Sequence, residues 1–136
     1  CSLSTYSILL QVDLAHKDPL INDSIFFNEI LMEDPGSDDT LFLLYQDTSL
    51  LEMILPVDAG SSQTNFYFFR PDSITNQIII DTLLVNYEKL FLYIGEECGA
   101  DILFHYLSFE ASEEIETEII ADTLTNFSRT NVKISF

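Results

Sequence analysis

Basic residues are scarce in this chain. Five lysines and arginines, spread from Lys17 to Lys133, face 23 aspartates and glutamates, and the formal net charge at pH 7 is −18. Such a charge repels phosphate backbones and anionic lipid surfaces, and no basic cluster is present to offset it. We therefore expect no nucleic-acid partner. The acidity is typical of a surface that serves solubility, with a basic or cation-bridged partner as the alternative.

Catalytic motifs are also lacking. The chain has four glycines and no tryptophan, and it contains no GxSxG, GxxxxGK[ST] or GxGxxG pattern. His16 and His105 belong to no HExxH or CxxC-linked pattern, so no zinc site is predicted. Cys98 lies in "EECGAD", where neighbouring carboxylates oppose formation of the thiolate, which makes it a poor nucleophile. We expect a non-enzymatic protein without a conventional cofactor.

Long hydrophobic runs are absent as well. No stretch of 18 apolar residues occurs, so the sequence predicts no membrane-spanning helix. Apolar residues are nevertheless abundant: they make up 47% of the chain and include eleven Phe and six Tyr. A chain of 136 residues with this composition is long enough to bury a core. We therefore expect a single folded domain over residues 5–136.

Hydrophobic residues alternate with a period of two in several segments, which is typical of strands. Three examples are "DTLLVNYE" (81–88), "DILFHYLSF" (101–109) and "NVKISF" (131–136). Turn-forming residues recur between such segments, at 17–19, 33–39, 56–63, 70–73 and 96–101. This pattern predicts an all-β, antiparallel β-sandwich of about eight short strands, immunoglobulin-like or small barrel-like. Residues 110–124 are ambiguous, and we interpret them as a strand, with a helical turn as the alternative.

Cys1 suggests a membrane anchor. Bacterial lipoproteins are cleaved just before a Cys that carries a diacylglycerol and an acylated amine, and acyl chains anchor a protein without a transmembrane helix. We therefore predict lipidation at Cys1, with residues 1–12 leading into the first strand. A trimmed terminus and a disulfide between Cys1 and Cys98 remain the alternatives.

Acidic turns raise the question of calcium. The turn "EDPGSDD" gathers Asp34, Asp38 and Asp39, and hard oxygen ligands suit Ca²⁺. The spacing does not match the D-x-[DN]-x-[DN]-G loop, and acidic turns are usually solvated. These three residues are weak calcium candidates, and no metal site is predicted from them.

A short pattern, Asp-Ser or Asp-Thr followed by an aliphatic residue, occurs five times. The side chains of such residues bond nearby backbone in turns and at strand starts, and this local chemistry explains most copies. The pattern also resembles the O-glycosylation acceptor motif of exported Bacteroidetes-type proteins. The candidate acceptors are Ser24, Thr40, Ser73, Thr82 and Thr123.

Several of these segments together resemble a known family. The relevant segments are "DTL" (81–83), Tyr87, "ECG" (97–99), "NVKI" (131–134) and, upstream, "ILPVD" with "TNFYFF". In this combination the chain is similar to an uncharacterised group of small envelope lipoproteins from Bacteroidetes-type bacteria, whose shared domain has no known function. The resemblance implies a lipoprotein with a β fold and supplies no activity. Members often carry a second Cys near the lipidated one; this chain does not, which implies a free thiol at Cys98.

Three functions follow as hypotheses. The first is an accessory or structural subunit of an integral outer-membrane β-barrel protein or its assembly complex, anchored to the outer membrane through Cys1 on the periplasmic or cell-surface side. Strands that are apolar on both faces favour it, because a partner must cover one face. The alternative is a surface or periplasmic binding module for a glycan, a small ligand or calcium. A hydrolase is the third and weakest hypothesis, since no particular carboxylate is nominated.

Overall fold

The computed structural model describes residues 8–33, 40–57, 60–72, 74–95, 99–122 and 130–136, with the backbone alone described at 8, 90–95 and 99–103. These residues form nine strands, whose bounds are β1 (Ile8–Ala15), β2 (Ile25–Glu33), β3 (Leu41–Leu50), β4 (Glu52–Val57), β5 (Gln63–Pro71), β6 (Ile78–Gly95), β7 (Gly99–Ala111), β8 (Glu116–Ile119) and β9 (Val132–Ser135).

The strands form two sheets. Sheet A has four strands in the order β4-β1-β9-β8, and sheet B has five in the order β3-β2-β5-β6-β7. All pairs are antiparallel except β1 with β9, which run in the same direction. The predicted β-sandwich is therefore confirmed as a class. The described residues contain one strand more than expected and a parallel pair that alternation along single strands does not reveal.

The two sheets enclose one hydrophobic cluster. Sheet A contributes Leu10 and Ile134, and sheet B contributes Phe66, Phe68 and Leu83, all fully buried. Phe27, Phe68 and Phe136 pack with ring centroids 5.3–5.9 Å apart in tilted or edge-to-face geometry, as aromatic rings prefer. Buried aromatic area on this scale explains how a small domain with so many like charges stays folded.

Period-two alternation correctly groups residues that share a face of a strand. In β6, Leu83, Val85 and Tyr87 are buried on one face, and in β9 Val132 and Ile134 are buried in the same way. The ambiguous segment 110–124 begins with the last two residues of β7, continues into a turn in which Ile115 N donates to Ser112 O at 3.2 Å, and then forms the short strand β8. The strand interpretation is therefore confirmed for these parts of β7 and β8, and residues 123 and 124 lie outside the described residues.

Alternation fails in β7, as it also does in the middle of β2. Tyr106 is 63% exposed, and its backbone adopts a positive φ of 53°, which is uncommon for a residue other than glycine. The register jumps here, because Asn86 lies opposite Ser108 and Glu88 opposite His105. Tyr106 and Leu107 thus face one residue of β6, which is a β-bulge. The bulge turns Tyr106 to solvent and Leu107 into the core.

The β6–β7 hairpin extends beyond the end of β5. β5 pairs with residues 78–86 of β6, and the register of β6 with β7 continues to Gly95 and Gly99. Within the described residues, no helix is long and apolar enough to cross a membrane.

Candidate functional site: the apolar outer face of sheet B

The outer face of sheet B carries a group of apolar side chains. In β5, Phe66 and Phe68 point into the core, so alternation places Tyr67 and Phe69 on the opposite, outer side. Register then places their neighbours, because directly paired residues share a face. We define the apolar face as Leu31, Tyr67, Phe69, Ile78, Ile80 and Leu84.

These six residues lie on three adjacent strands, β2, β5 and β6. Leu31 pairs with Tyr67, and Phe69 pairs with Ile80. Ile78 and Ile80 are 58% and 55% exposed, and the others are half-buried. Glu29, opposite Phe69, and Thr82, opposite Tyr67, lie among them on the same face. Single exposed apolar residues are common on proteins, whereas a group of them on neighbouring strands is more typical of an interaction surface.

The outer face of sheet A differs in character. Leu10 and Val12 are buried, so Gln11 and Asp13 of β1 face outward, as do Lys133 of β9 and the two glutamates of β8. Apolar residues occur mainly at the β4 side, where Ile54 is 43% exposed. The polar outer face is the normal arrangement for an antiparallel sheet in water, which makes the face of sheet B the exception.

A small polar network interrupts the apolar face near β2. The Glu33 carboxylate accepts hydrogen bonds from Asn65 Nδ2 at 2.9 Å and from Tyr67 Oη at 3.4 Å. Partial burial raises the pKa of the Tyr67 phenol above its ordinary value, and the negative charge and hydrogen bond of Glu33 raise it further. Tyr67 is therefore held as a neutral donor that fixes the position of its own ring.

This pKa direction predicts a dependence of stability on alkaline pH. Because the pKa of Tyr67 is higher in the folded protein, the phenol ionises at lower pH in the unfolded chain. The contribution of neutral Tyr67 to folding stability is therefore complete below pH 10.0, and it is lost as the pH rises through the pKa of the folded state. We expect Tyr67→Phe to remove part of the fall in urea midpoint above that pH. Tyr106→Phe is the control. Identical alkaline profiles for wild type and Tyr67→Phe would contradict the expectation.

Three polar residues of the family-like segments, Asp81, Tyr87 and Asn131, lie in the interior. Asp81 is fully buried and its Oδ2 accepts from Arg70 Nε at 2.9 Å. The hydroxyl of buried Tyr87 is 2.9 Å from Thr64 Oγ1. These polar groups make their hydrogen bonds inside the fold, so they stabilise the packing of the strands.

Asn131 has the same kind of role. Its Oδ1 accepts from Gln11 N at 3.0 Å, and its Nδ2 donates to Ala121 O at 3.2 Å. This buried side chain ties the start of β9 to β1 and to the residues after β8. The amide of Asn131 thus gives hydrogen-bond partners to two backbone groups, Gln11 N and Ala121 O.

The structure places three of the five predicted acceptors on exposed positions. Ser24 precedes β2, Thr40 precedes β3, and Thr82 is on the outer face of β6, opposite Tyr67. Ser73 and Thr123 lie outside the described residues, as do Cys1, Cys98 and the weak calcium candidates Asp34, Asp38 and Asp39.

The local interpretation of the Asp-Ser pattern holds at Asp72. Its carboxylate accepts from Ile74 N at 3.0 Å and from Thr75 Oγ1 at 2.8 Å. The hydrogen bond from Ile74 and then that from Thr75 lower the pKa of Asp72. This is turn chemistry of the expected kind.

Other sites of ligand-binding character are weaker than the apolar face. Among the described residues, no three His, Cys, Asp or Glu side chains are grouped in a way that could hold a metal ion. A shallow depression between the β4–β5 connection and β6 is lined by Gly60, Ser61, Ser62, Tyr87, Glu88 and Lys89.

Residues 19–136 match the model of a family of unknown function, DUF6452. The chain belongs to this family. No curated protein matches the chain, and no solved structure does. The match covers β2 to β9, so the apolar face lies entirely within the segment that defines the family. Membership in DUF6452 brings no activity with it.

Sequence reasoning anticipates strands that are apolar on both faces, but it does not identify the apolar face. The signal is present in "TNFYFFR", where Tyr67 and Phe69 alternate with buried phenylalanines. Only the pairing of β5 with β2 and β6 shows that their apolar outer residues lie together.

Proposed function

We propose that this protein is a non-enzymatic accessory subunit that docks through the apolar face onto an integral outer-membrane β-barrel protein or its assembly complex. The observation that carries the proposal is the difference between the two outer faces: sheet A is mostly polar, and sheet B exposes Ile78 and Ile80 beside two aromatic rings. An exposed apolar group of this kind costs solubility unless a partner covers it.

The interior placement of the motif residues also supports an accessory role. Asp81, Tyr87 and Asn131 make internal hydrogen bonds, so they are not displayed to a substrate. Beside the apolar face, the Glu33 carboxylate is itself paired, since it accepts a hydrogen bond from Asn65. This arrangement suits recognition by shape and burial better than acid–base chemistry.

Membrane attachment through acylated Cys1 is the second part of the proposal, and it rests on the resemblance to envelope lipoproteins. Acyl chains on Cys1 would hold the domain at the outer membrane and raise its local concentration beside an integral partner. The test is the intact mass of the chain purified from native membranes. A lipid-sized excess is expected, and an unmodified mass would remove the anchor from the proposal.

The docking proposal is tested with charge substitutions on the apolar face. Ile78→Lys and Ile80→Lys place cations at the two most exposed positions of the apolar face, neither of them paired with a carboxylate. We expect either change to reduce recovery of a membrane partner in mild detergent at least about tenfold, because a buried unpaired charge costs several kcal/mol.

Ile54→Lys is the matched control, since it adds the same charge to a similarly exposed isoleucine on sheet A. It should leave partner recovery unchanged. Equal recovery for all three variants, with unchanged urea midpoints, would rule out the apolar face as the docking surface.

Glycosylation at Thr82 is incompatible with docking. Thr82 lies on β6 between Ile80 and Leu84 of the apolar face, directly opposite Tyr67. A glycan there would stand between the face and a protein partner, whereas one at Ser24, before β2, would not occupy these three strands. The proposal therefore predicts that any O-glycans are attached at acceptors other than Thr82. Peptide mass mapping of the native protein tests this prediction.

The alternative function is a binding module for a glycan or small ligand. The observation that favours it is the depression lined by Ser61, Ser62, Glu88 and Lys89, which offers hydroxyls and both signs of charge. Calorimetric titration of the full chain with glycans, small anions and Ca²⁺ tests it. Heat of binding that Lys89→Ala removes would support this function in place of docking.

A further inference from the structure

The first residues of β3 form an open sheet edge. β3 is the outermost strand of sheet B and pairs with β2 alone among the described strands. Leu41, Phe42 and Leu43 are each about half exposed (45–52%), although they alternate in direction. We call residues 41–44 the open edge. It contains no charge and no proline, the two features that usually prevent an edge from pairing.

The remainder of β3 is not open in the same way. Tyr45 Oη accepts from Ile54 N at 3.1 Å and donates to Ile54 O at 3.3 Å. One side chain of β3 thus satisfies both backbone groups of a residue on β4, the outermost strand of sheet A. The edge of β4 is closed at this point, and the exposed apolar stretch of β3 ends where Tyr45 begins.

The other two outermost strands are protected by different means. β8 has four residues, two of them glutamates, and short charged edges pair poorly. β7 is covered near its bulge, where Leu107 N donates to Asp122 O at 3.1 Å. Within the described residues, the open edge has neither of these protections.

Charge decides what kind of chain fits there. The protein carries −18, and Glu33 lies directly opposite Leu41 on β2. A second copy of the chain would bring another −18 to the same edge, which opposes self-association. The same negative field would attract a partner strand flanked by Lys or Arg. The attraction acts over about 10 Å, the distance beyond which salt largely screens exposed charges.

We propose that the open edge accepts a strand of a partner protein, apolar in alternate residues and flanked by Lys or Arg, which extends sheet B to six strands. This inference rests on the proposed function and specifies how its partner is held. Backbone hydrogen bonds to a sheet edge give affinity that is independent of side chains, and alternate apolar residues add selectivity. The added strand would lie beside β3, on the same sheet as the apolar face.

The test uses the full chain and a synthetic strand peptide of alternating Val and Thr flanked by Lys. We expect slowed hydrogen exchange when the peptide binds, at those amides of residues 41–44 that point away from β2. N-methylation of two backbone donors in the peptide should weaken binding roughly tenfold or more, because each hydrogen bond contributes about 1 kcal/mol. Glu in place of the flanking Lys should weaken binding at low salt and less so at high salt.

Phe42→Lys is the matching protein variant, because Phe42 lies on the open edge and outside the apolar face. It should weaken peptide binding at least about tenfold, whereas Ile74→Lys, at a 90% exposed loop position, should not. The proposal would be overturned if the peptide did not bind. It would also be overturned if neither N-methylation of the peptide nor Phe42→Lys weakened the binding. A dimer in sedimentation that Phe42→Lys dissolves would overturn it as well, since the occupant would then be a second copy.

Recovery of the membrane partner separates this inference from the proposed function. Loss with Ile80→Lys but full recovery with Phe42→Lys would overturn strand pairing and leave docking through the apolar face in place. Full recovery with both variants would overturn the docking proposal itself.

Discussion

Arg70→Met is expected to lower the free energy of unfolding by about 3–5 kcal/mol. Arg70 Nε donates to Asp81 Oδ2 at 2.9 Å, and the Asp81 side chain is fully buried. The guanidinium also lies 4.8 Å from the centroid of the Phe136 ring, so it joins β5 to the residue after β9. Removing it leaves a buried carboxylate with Ser112 Oγ, at 3.4 Å, as its remaining side-chain donor among the described residues.

The matched control replaces both partners, as Arg70→Met with Asp81→Val. A buried ion pair exchanged for apolar residues is often close to neutral in stability, because the desolvation cost of both charges disappears. We therefore expect the double variant to recover most of the loss in urea unfolding at constant m-value. A single Arg70→Met variant within about 1 kcal/mol of wild type would contradict the role of Asp81 as a buried partner of Arg70.

Phe68→Ala is expected to lower the free energy of unfolding by about 3–5 kcal/mol, the usual loss for a large aromatic residue in a core. Phe68 is fully buried and packs against Phe27 and Phe136, with centroids 5.9 and 5.8 Å away. Its truncation removes one of three rings that meet between the sheets, and the rigid neighbouring strands allow little collapse into the space.

Phe69→Ala is the control at the next residue of the same strand. Phe69 is half-buried on the apolar face, so its truncation should cost about 1 kcal/mol. The two variants should separate stability from recognition: Phe68→Ala lowers the urea midpoint, and Phe69→Ala lowers partner recovery. Equal destabilisation by both would mean that Tyr67 and Phe69 do not face outward.

Much of the fold is predictable from alternation alone. The pattern places Leu83, Val85 and Tyr87 on one face of a strand, and all three are buried together in β6. Alternation fails at Tyr106, because a bulge depends on pairing with the opposite strand and not on the local residue pattern. It does not reveal the parallel pairing of β1 with β9 for the same reason.

The candidate site is predictable only in outline. The sequence indicates strands with two apolar faces, yet it does not place Phe69 beside Ile80, since these residues are joined by the register of β5 with β6. Local chemistry predicts a turn or strand-start role for Asp81, and the glycosylation motif concerns its neighbour Thr82. In the fold, Asp81 is a buried partner of Arg70, which lies eleven residues away in the chain.

The sequence by itself determined the class of the protein: all-β, strongly acidic, and apolar on both faces of some strands. Only the tertiary structure decided which apolar residues enter the core, which form the apolar face, and which edge stays open. Alternation is a local property of an extended backbone and can be read along one strand. Which strands become neighbours depends on contacts between residues far apart in the chain, and these contacts determine whether an apolar row meets the core or the solvent.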